Sequence, residues 1–217
     1  MFEIRDEASM VRLNMSQLNI SRADSGFIAL EKIPAMQRRR LSSIAKIALN
    51  NAMQALETQR VDYIIWVSQY GDEHKTLNIL SDVLQDQTPS PTQFSTSVHN
   101  AIAGLYSILC QDATPSTSLA GSWSDACIEA YAWLKTSLKN NSKVLIVYYD
   151  EPLPELYNEQ QNFEAVAMSA IVSLESENIE FNLETQDFEK VYALEINEFY
   201  EFWNNTEALK FKAWHKC

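Results

Sequence analysis

The sequence predicts an α/β fold in which a mostly parallel sheet lies between helical layers. Short runs of β-branched and aromatic residues alternate along the chain with longer amphipathic stretches, and this rhythm is typical of right-handed β-α-β crossovers. Several of the short runs are continuously apolar, as expected for strands buried on both faces of a sheet. The length of 217 residues and the hydrophobic content of 46% allow a sizeable core.

The predicted strands are runs of strand length that are rich in β-branched or aromatic residues. In chain order they are Val61–Ser68, Ser116–Ala120, Lys143–Tyr149 and Ala167–Leu174. Residues 1–33 are mixed in character and are not assigned to an element.

Four helices are predicted from apolar residues that recur on one helical face. In chain order they are Gln37–Thr58, Asp72–Leu84, Ser97–Cys110 and Ser122–Leu138. Ile33-Pro34 precedes the first of them. Pro89 and Pro91 prevent the second from continuing, because proline lacks the backbone N–H that a helix interior needs.

The chain shows no Gly/Ser-rich linker and no repeat. We therefore expect a single domain over residues 1–217, with Glu175–Cys217 as an acidic and aromatic C-terminal extension. Within the extension, Phe199, Tyr200, Phe202 and Trp203 fall on a predicted amphipathic helix. This aromatic face either packs on the domain itself or docks in part on another protein.

The charge, the N-terminal sequence and the cysteine spacing disfavour several classes of function. A formal net charge of −12 disfavours contact with nucleic acid and with anionic membrane surfaces. The N-terminus MFEIRDEASM lacks a signal-peptide pattern, and no apolar run reaches the length of about 18 residues that a membrane span needs. The three cysteines have neither disulfide-framework nor zinc-ligand spacing. We expect a cytoplasmic protein without a metal or nucleotide cofactor.

Several motifs resemble the β-ketoacyl synthase family over roughly Ala35–Leu174. They are SVHNAIAG at residues 97–104, the strand Ser116–Ala120, the turn AGSWS at residues 120–124, IPAMQRRRLS at residues 33–42, and the strand-to-loop run WVSQYGD at residues 66–72. The arginine-rich motif is similar to that of small ketosynthase-like proteins of bacterial polyketide and aryl polyene clusters. The resemblance implies half of a thiolase-like fold, with the turn where the family carries its nucleophilic cysteine.

The chain departs from the family at the positions that carry its chemistry. Gly121, or Ala120 if the alignment shifts by one residue, stands where the cysteine is expected. Full ketosynthases also use two histidines from a C-terminal half, and His74 and His215 lack the glycine-rich context of those residues. Condensation needs a thiolate at a helix N-terminus and histidines that stabilise the enolate. We therefore expect no catalytic residue and no condensing activity from this chain by itself.

The resemblance implies instead a non-catalytic subunit similar to a chain length factor. Such a subunit pairs with a full-length β-ketoacyl synthase and shapes its acyl tunnel in polyene, polyketide or fatty-acid-like synthesis. In the family, the strand before the nucleophile turn commonly lies at the dimer interface. The interface and tunnel candidates are therefore Ser97, His99, Asn100, Tyr106, Ser116, Leu119 and Trp123, with Tyr70 as a further candidate tunnel stop. The aromatic candidates are equally well explained as core residues, and His99 and Asn100 as residues that bond neighbouring loop backbone.

Arg38, Arg39 and Arg40 form the only dense basic run of this acidic chain. One interpretation is a solvated face with weak ion pairs. The other is contact with an anionic group, such as an acyl-carrier-protein helix or a phosphopantetheine phosphate. Any other contact with the carrier protein would be made mainly through the partner subunit.

Two other functions stay open from the sequence. Ser122 or Ser124 could be the nucleophile of a hydrolase or acyltransferase that uses His99 and Asp125, although the turn is not G-x-S-x-G and a serine at a helix start is usually an N-cap. The chain could also be a regulatory binding module with an unrelated partner. Cys127 lies within the predicted helix, and we expect it to be a small core residue.

Overall fold

The computed structural model describes residues 10–157, 163–183 and 191–217, in which eight strands form one sheet. The strands are β1 (Met10–Arg22), β2 (Tyr63–Ser68), β3 (Ser116–Ala120), β4 (Val144–Asp150), β5 (Val166–Ser173), β6 (Ile179–Asn182), β7 (Lys210–Phe211) and β8 (Trp214–Lys216). The helices are α1 (Ala35–Arg38), α2 (Ser43–Ala55), α3 (Glu73–Leu84), α4 (Pro91–Ser95), α5 (Ala101–Cys110), α6 (Trp123–Thr136) and α7 (Tyr192–Asn204), and a 3-10 turn spans Ala29–Lys32.

The strand order across the sheet is β3-β2-β4-β5-β1-β6-β8-β7. The α/β class is confirmed, but the sheet is mixed rather than mostly parallel. Among the described strands, β3-β2 and β2-β4 are the parallel pairs, and the other neighbours are antiparallel. A parallel pair needs a long, usually helical crossover, whereas 151–157 and 163–165, the described parts of the β4–β5 connection, contain no helix. In addition, β1 arises from the unassigned N-terminal region and pairs antiparallel to β5 and β6.

Helices cover both faces of the sheet, because its central strands are apolar on both sides. One face packs against α2 and α5, whose buried residues meet Ile64, Leu145 and Ile171. The other packs against α6 and α7 and buries Ile65 and Ile146. All seven residues of β4 are buried, which confirms the predicted strand covered on both faces.

Two predicted helices begin at different residues in the structure. The stretch predicted as one helix over 37–58 is divided into α1 and α2, because Ser42 acts as the N-cap of α2 and its hydroxyl accepts a hydrogen bond from the Ala45 amide at 3.4 Å. The helix predicted from Ser97 starts only at Ala101. His99 and Asn100 therefore lie in the turn that precedes α5.

The aromatic face of α7 packs on the domain. Phe199 and Phe202 are buried, and the Phe199 ring lies 5.9 Å from the ring of Trp123 in α6 and 4.8 Å from that of Trp214 in β8. The first of the two interpretations of this helix is therefore confirmed for its buried residues. Residues 184–190 of the extension lie outside the described part of the chain.

Lys216 joins the last strand to the end of α7. Its Nζ donates hydrogen bonds to the carbonyls of Phe202, Trp203 and Asn205 at 2.7, 3.0 and 2.7 Å. These carbonyls lie at or just beyond the end of α7, where helix carbonyls lack their usual i+4 donors. The extension thus closes one face of the sheet through both aromatic packing and this lysine.

Truncation of Phe199 tests the contribution of the extension to the core. We expect Phe199→Ala to lower the free energy of unfolding by about 3–5 kcal/mol, because it removes a buried ring and leaves a cavity. Leu209→Ala is the matched control, since Leu209 belongs to the same extension but is 66% exposed. Urea unfolding of both variants measures the difference, and equal stabilities would show that the extension contributes no cooperative core.

Candidate functional site

The turn between β3 and α6 is closed by a reciprocal set of hydrogen bonds. Ser122 is the N-cap of α6, and both its amide and its hydroxyl donate to Asp125 Oδ2 at 2.7 Å. In return, the Asp125 amide donates to Ser122 Oγ at 3.2 Å. This capping box satisfies two amides of the helix start, those of Ser122 and Asp125. The amide of Gly121 donates to the Ser68 carbonyl at 3.2 Å, which ties the turn to the end of β2.

A side chain at Gly121 would require the Asp125 side chain to move. A Cβ at this position would lie 2.9 Å from Asp125 Oδ2 and 3.2 Å from Asp125 Cβ. Real Cβ atoms essentially never approach a neighbour as closely as the first distance. The space in which a side chain at Gly121 would stand is thus filled by the carboxylate that caps α6.

Cys127 is the cysteine nearest to this turn, and it is fully buried in α6. Burial raises the pKa of its thiol well above the ordinary value, and the charge of Asp125 raises it further. A reactive cysteine needs the opposite, a lowered pKa and access to solvent. The structure agrees with the expectation that Cys127 is a core residue.

A buried carboxylate, Asp150, organises the end of the sheet beside this turn. It accepts hydrogen bonds from Ser68 Oγ at 2.7 Å, from the Gln69 amide at 2.9 Å, from the Tyr70 amide at 3.0 Å and from the Tyr148 hydroxyl at 2.5 Å. Burial raises the pKa of Asp150 above its ordinary value of 3.8, although these hydrogen bonds act to lower it. Asp150 therefore holds the loop after β2 in place.

Two more buried carboxylates lie close to Asp150. Glu151 Oε2 accepts a hydrogen bond from Ser43 Oγ at 2.7 Å, and burial, the largest effect, raises the Glu151 pKa. Asp72 forms an ion pair with Lys75 at 3.1 Å that lacks hydrogen-bond geometry. Within the described ranges, no group of three His, Cys, Asp or Glu side chains could hold a metal ion. Sequence reasoning missed this cluster, although two acids directly after an apolar strand were a visible signal for it.

Comparison with known proteins identifies the family. The model of the family described as "Beta-ketoacyl synthase, N-terminal domain" matches residues 13–210. The chain belongs to the β-ketoacyl synthase N-terminal-domain family. No curated protein sequence matches it.

Solved structures show the same fold. The chain is similar to one in the structure "Ketosynthase (ApeO) in Complex with its Chain Length Factor (ApeC) from Xenorhabdus doucetiae", with a TM-score of 0.65, 22% identity, and coverage of 75% of this chain and 79% of that chain. The predicted half of a thiolase-like ketosynthase fold is thus confirmed. Weaker matches include the HMG-CoA synthase PksG from Bacillus subtilis, with a TM-score of 0.48, 10% identity, and coverage of 81% of this chain and 43% of that chain.

Among the described strands of this ketosynthase-like chain, β3 lies at the edge of the sheet and pairs only with β2. Its outer side borders an open groove of about 470 Å³ between β3 and α5. The groove brings together two predicted interface residues, Asn100 and Ser116, and is otherwise lined by Ala103, Gly104, Ser107, Thr117 and Ser118. A Cβ added at Gly104 would meet no atom within 4 Å. The groove is therefore shallow, polar and lined by small side chains.

The other predicted interface residues do not line this groove. Tyr106 and Trp123 are each only 5% exposed, and the Tyr106 hydroxyl donates to Asp112 Oδ2 at 2.9 Å, away from the groove. Leu119 and Tyr70 are half-buried. The assignment of any of these residues to a tunnel wall stays a prediction.

The residues of the alternative serine mechanism are not joined as a catalytic triad. Ser122 Oγ donates directly to Asp125, with no histidine between them. His99 lies in the turn before α5, and its Nε2 is buried without a hydrogen-bond partner among the described residues. Its Nδ1 lies 3.5 Å from the point where a Cβ of Gly71 would stand. Ser97 Oγ donates to the carbonyl of Phe94 at 2.9 Å.

The arginine run lies just before α2. Arg39 and Arg40 are exposed, and Arg38 is half-buried with an Nε that has no hydrogen-bond partner among the described residues. No ion pair between described residues includes any of the three, so the weak ion pairs considered from the sequence are not formed there. In the same ranges, no helix is long and apolar enough to cross a membrane.

Substitution of Asp150 tests its role in the loop after β2. We expect Asp150→Asn to lower the free energy of unfolding at neutral pH by about 1–3 kcal/mol, because the amide N–H₂ would face an N–H donor. The raised pKa also predicts a pH effect. Because the pKa of Asp150 is raised, the folded protein binds its proton more tightly than the unfolded chain does. The stability that this protonation contributes is fully present below about pH 4 and is lost as the pH rises through the folded-state pKa.

The stability advantage of the wild type over Asp150→Asn should therefore shrink as the pH rises from acid. Denaturant unfolding across this pH range measures it, with the exposed Asp24→Asn as control. An advantage that grows with pH would contradict the raised pKa.

Proposed function

We propose that this chain is a non-catalytic, ketosynthase-like subunit that resembles a chain length factor and pairs with a full-length β-ketoacyl synthase. One observation carries the proposal. At the start of α6, where the family resemblance puts the nucleophilic cysteine, the chain has Gly121, or Ala120 if the alignment shifts by one residue. Asp125 occupies the space that a side chain at Gly121 would enter. The turn keeps the strand-turn-helix shape of the family and lacks a group that could form a thioester.

The edge of the sheet supports the pairing. The outer side of β3 lies on the groove lined by small residues of α5, and two residues of β3, Ser116 and Ala120, are exposed. An unpaired edge strand offers backbone donors and acceptors to another chain. The small side chains of Ala103, Gly104 and Ser107 allow close approach of a partner backbone or helix. The partner subunit would cover this edge and supply the Cys-His-His site.

The chain would then shape the acyl tunnel of its cytoplasmic partner in polyene, polyketide or fatty-acid-like synthesis. The acyl carrier protein would bind mainly to the partner. If the carrier also touches this chain, Arg38–Arg40 offer three cationic side chains without ion-pair partners among the described residues, and arginine is well suited to phosphate and carboxylate groups. No observation favours a second function, since Ser122 serves as a helix cap.

Introducing a cysteine at position 121 tests the proposal that the chain is non-catalytic. We expect Gly121→Cys to lower the free energy of unfolding by about 0.5–2 kcal/mol, because the new side chain displaces the Asp125 cap. We also expect neither the variant nor the wild type to form an acyl thioester when mixed with acyl-carrier-protein thioesters and analysed by mass spectrometry.

Gly26→Cys is the matched control, since a Cβ at Gly26 meets no atom within 4 Å. An acyl adduct on the isolated wild-type chain, or labelling of Ser122 or Ser124 by a fluorophosphonate probe, would overturn the non-catalytic assignment.

Filling the groove between β3 and α5 tests the proposed pairing with a ketosynthase. Gly104→Leu should leave the chain folded, or slightly more stable, because a helix-interior glycine costs about 1 kcal/mol and the new side chain enters open space. The variant should bind the full-length ketosynthase of the same gene cluster at least about tenfold more weakly, a loss of about 1.4 kcal/mol.

Co-purification and a binding titration measure this effect, with Gly26→Leu as control. Unchanged binding by Gly104→Leu would place the interface elsewhere, and absence of any complex with the wild type would refute the proposed pairing.

A further inference from the structure

Helix α3 carries an apolar face that the described residues cover only in part. None of its 12 residues is buried, and Leu80, Val83 and Leu84 are 46%, 53% and 86% exposed. Helix α4 packs against α3 and adds Phe94, which is 62% exposed. We call these four residues the α3–α4 ridge. Apolar groups that cluster on a surface in this way mark an interaction site.

The ridge lies in an acidic segment. Residues 72–98 contain the four carboxylates of Asp72, Glu73, Asp82 and Asp86 against the single Lys75, which gives a formal charge of −3. Lys75 is already paired with Asp72 at 3.1 Å. Asp72 is only 7% exposed, so we call the three less buried carboxylates of the segment, Glu73, Asp82 and Asp86, the acidic rim. An apolar patch that shares a segment with these charges is complementary to an apolar patch flanked by Lys and Arg side chains.

The same charge disfavours a second copy of the chain as the occupant. Each copy carries a formal net charge of −12, so association of two copies would be opposed by repulsion of like charges. A more basic protein would gain on both counts, through the acidic rim of the ridge and through the net charge of the chain.

The ridge is continuous with the surface proposed above as the contact with the ketosynthase. Lys75 Nζ donates to the Thr96 carbonyl at 3.3 Å, which joins α3 to the segment that leads into α5. Val98 and Ile108, at 42% and 75% exposure, extend the apolar surface along that segment and along α5. Helix α5 in turn borders the groove beside β3.

We propose that the α3–α4 ridge docks on an apolar patch with a basic rim on the full-length ketosynthase, and that its acidic rim selects this partner over a second copy of the chain. The inference rests on the proposed pairing and adds to it a second contact surface with its own chemistry. The ridge side chains supply the buried area of this contact. The carboxylates around them accelerate association and set its salt dependence.

Loss of the apolar side chains is the first test. The double variant Leu80→Ser/Leu84→Ser should bind the full-length ketosynthase of the same gene cluster about tenfold or more weakly, because two leucines would lose burial in the complex. Both residues are exposed in the free chain, so its stability should hardly change. Leu138→Ser is the matched control, since Leu138 is a fully exposed leucine outside the ridge.

Loss of the rim charges is the second test. Asp82→Asn/Asp86→Asn should lower the association rate constant severalfold at about 0.05 M salt and much less at about 0.5 M, where screening removes the difference. Asparagine suits position 86, where φ is +58°, because it tolerates the left-handed region. Asp24→Asn, which removes an exposed carboxylate outside the segment, is the control.

The outcomes separate this inference from the proposed function. A wild-type chain that does not bind the ketosynthase refutes the pairing itself. A wild-type chain that binds, with both double variants binding equally well, overturns the role of the ridge and leaves the pairing intact. Light scattering on the chain alone should show a monomer. A dimer that the leucine double variant dissociates would assign the ridge to a second copy and overturn the selection of a basic partner.

Discussion

The buried carboxylate of Asp150 is the constraint on which the candidate site depends. A buried carboxylate is costly unless it is fully hydrogen-bonded, and four donors from β2, from the loop after it and from β4 meet this requirement. Ser68 in turn connects Asp150 to two other backbone segments. Its hydroxyl accepts from the Gly71 amide at 2.7 Å, and its carbonyl accepts from the Gly121 amide at 3.2 Å. The loop after β2 and the start of α6 are therefore positioned by one acid on a neighbouring strand.

At the start of α6, this framework carries the capping box of Ser122 and Asp125. Asp125 uses one carboxylate oxygen to bond both the amide and the hydroxyl of Ser122. The same oxygen occupies the space beside Gly121. A capping carboxylate stabilises the helix start, and here it also lies where a Cβ on residue 121 would stand. The Ser122–Asp125 pair therefore both caps α6 and fixes the conformation of the turn that follows β3.

The C-terminal extension covers one face of the sheet and leaves other surfaces of the chain exposed. Phe199, Phe202 and Trp214 cover the α6 side of the sheet, and Lys216 bonds the end of α7. The free edge of β3, the groove along α5 and the apolar residues of α3 and α4 stay uncovered by the described residues. These uncovered surfaces are continuous along α5 and combine small, apolar and acidic side chains. The proposed pairing depends on these surfaces.

The sequence by itself determined the strands that are buried on both faces, most of the long helices and the family, because these depend on local hydrophobic pattern and on contiguous motifs. It also located the turn that lacks a cysteine. Only the tertiary structure decided the mixed direction of the sheet, since β1 and β5 meet through pairing between residues more than a hundred positions apart. It likewise decided that Tyr106 and Trp123 are core residues of the chain and that Asp125 blocks Gly121. Burial and close approach depend on what the folded chain brings together, and no pattern of neighbours in sequence contains that information.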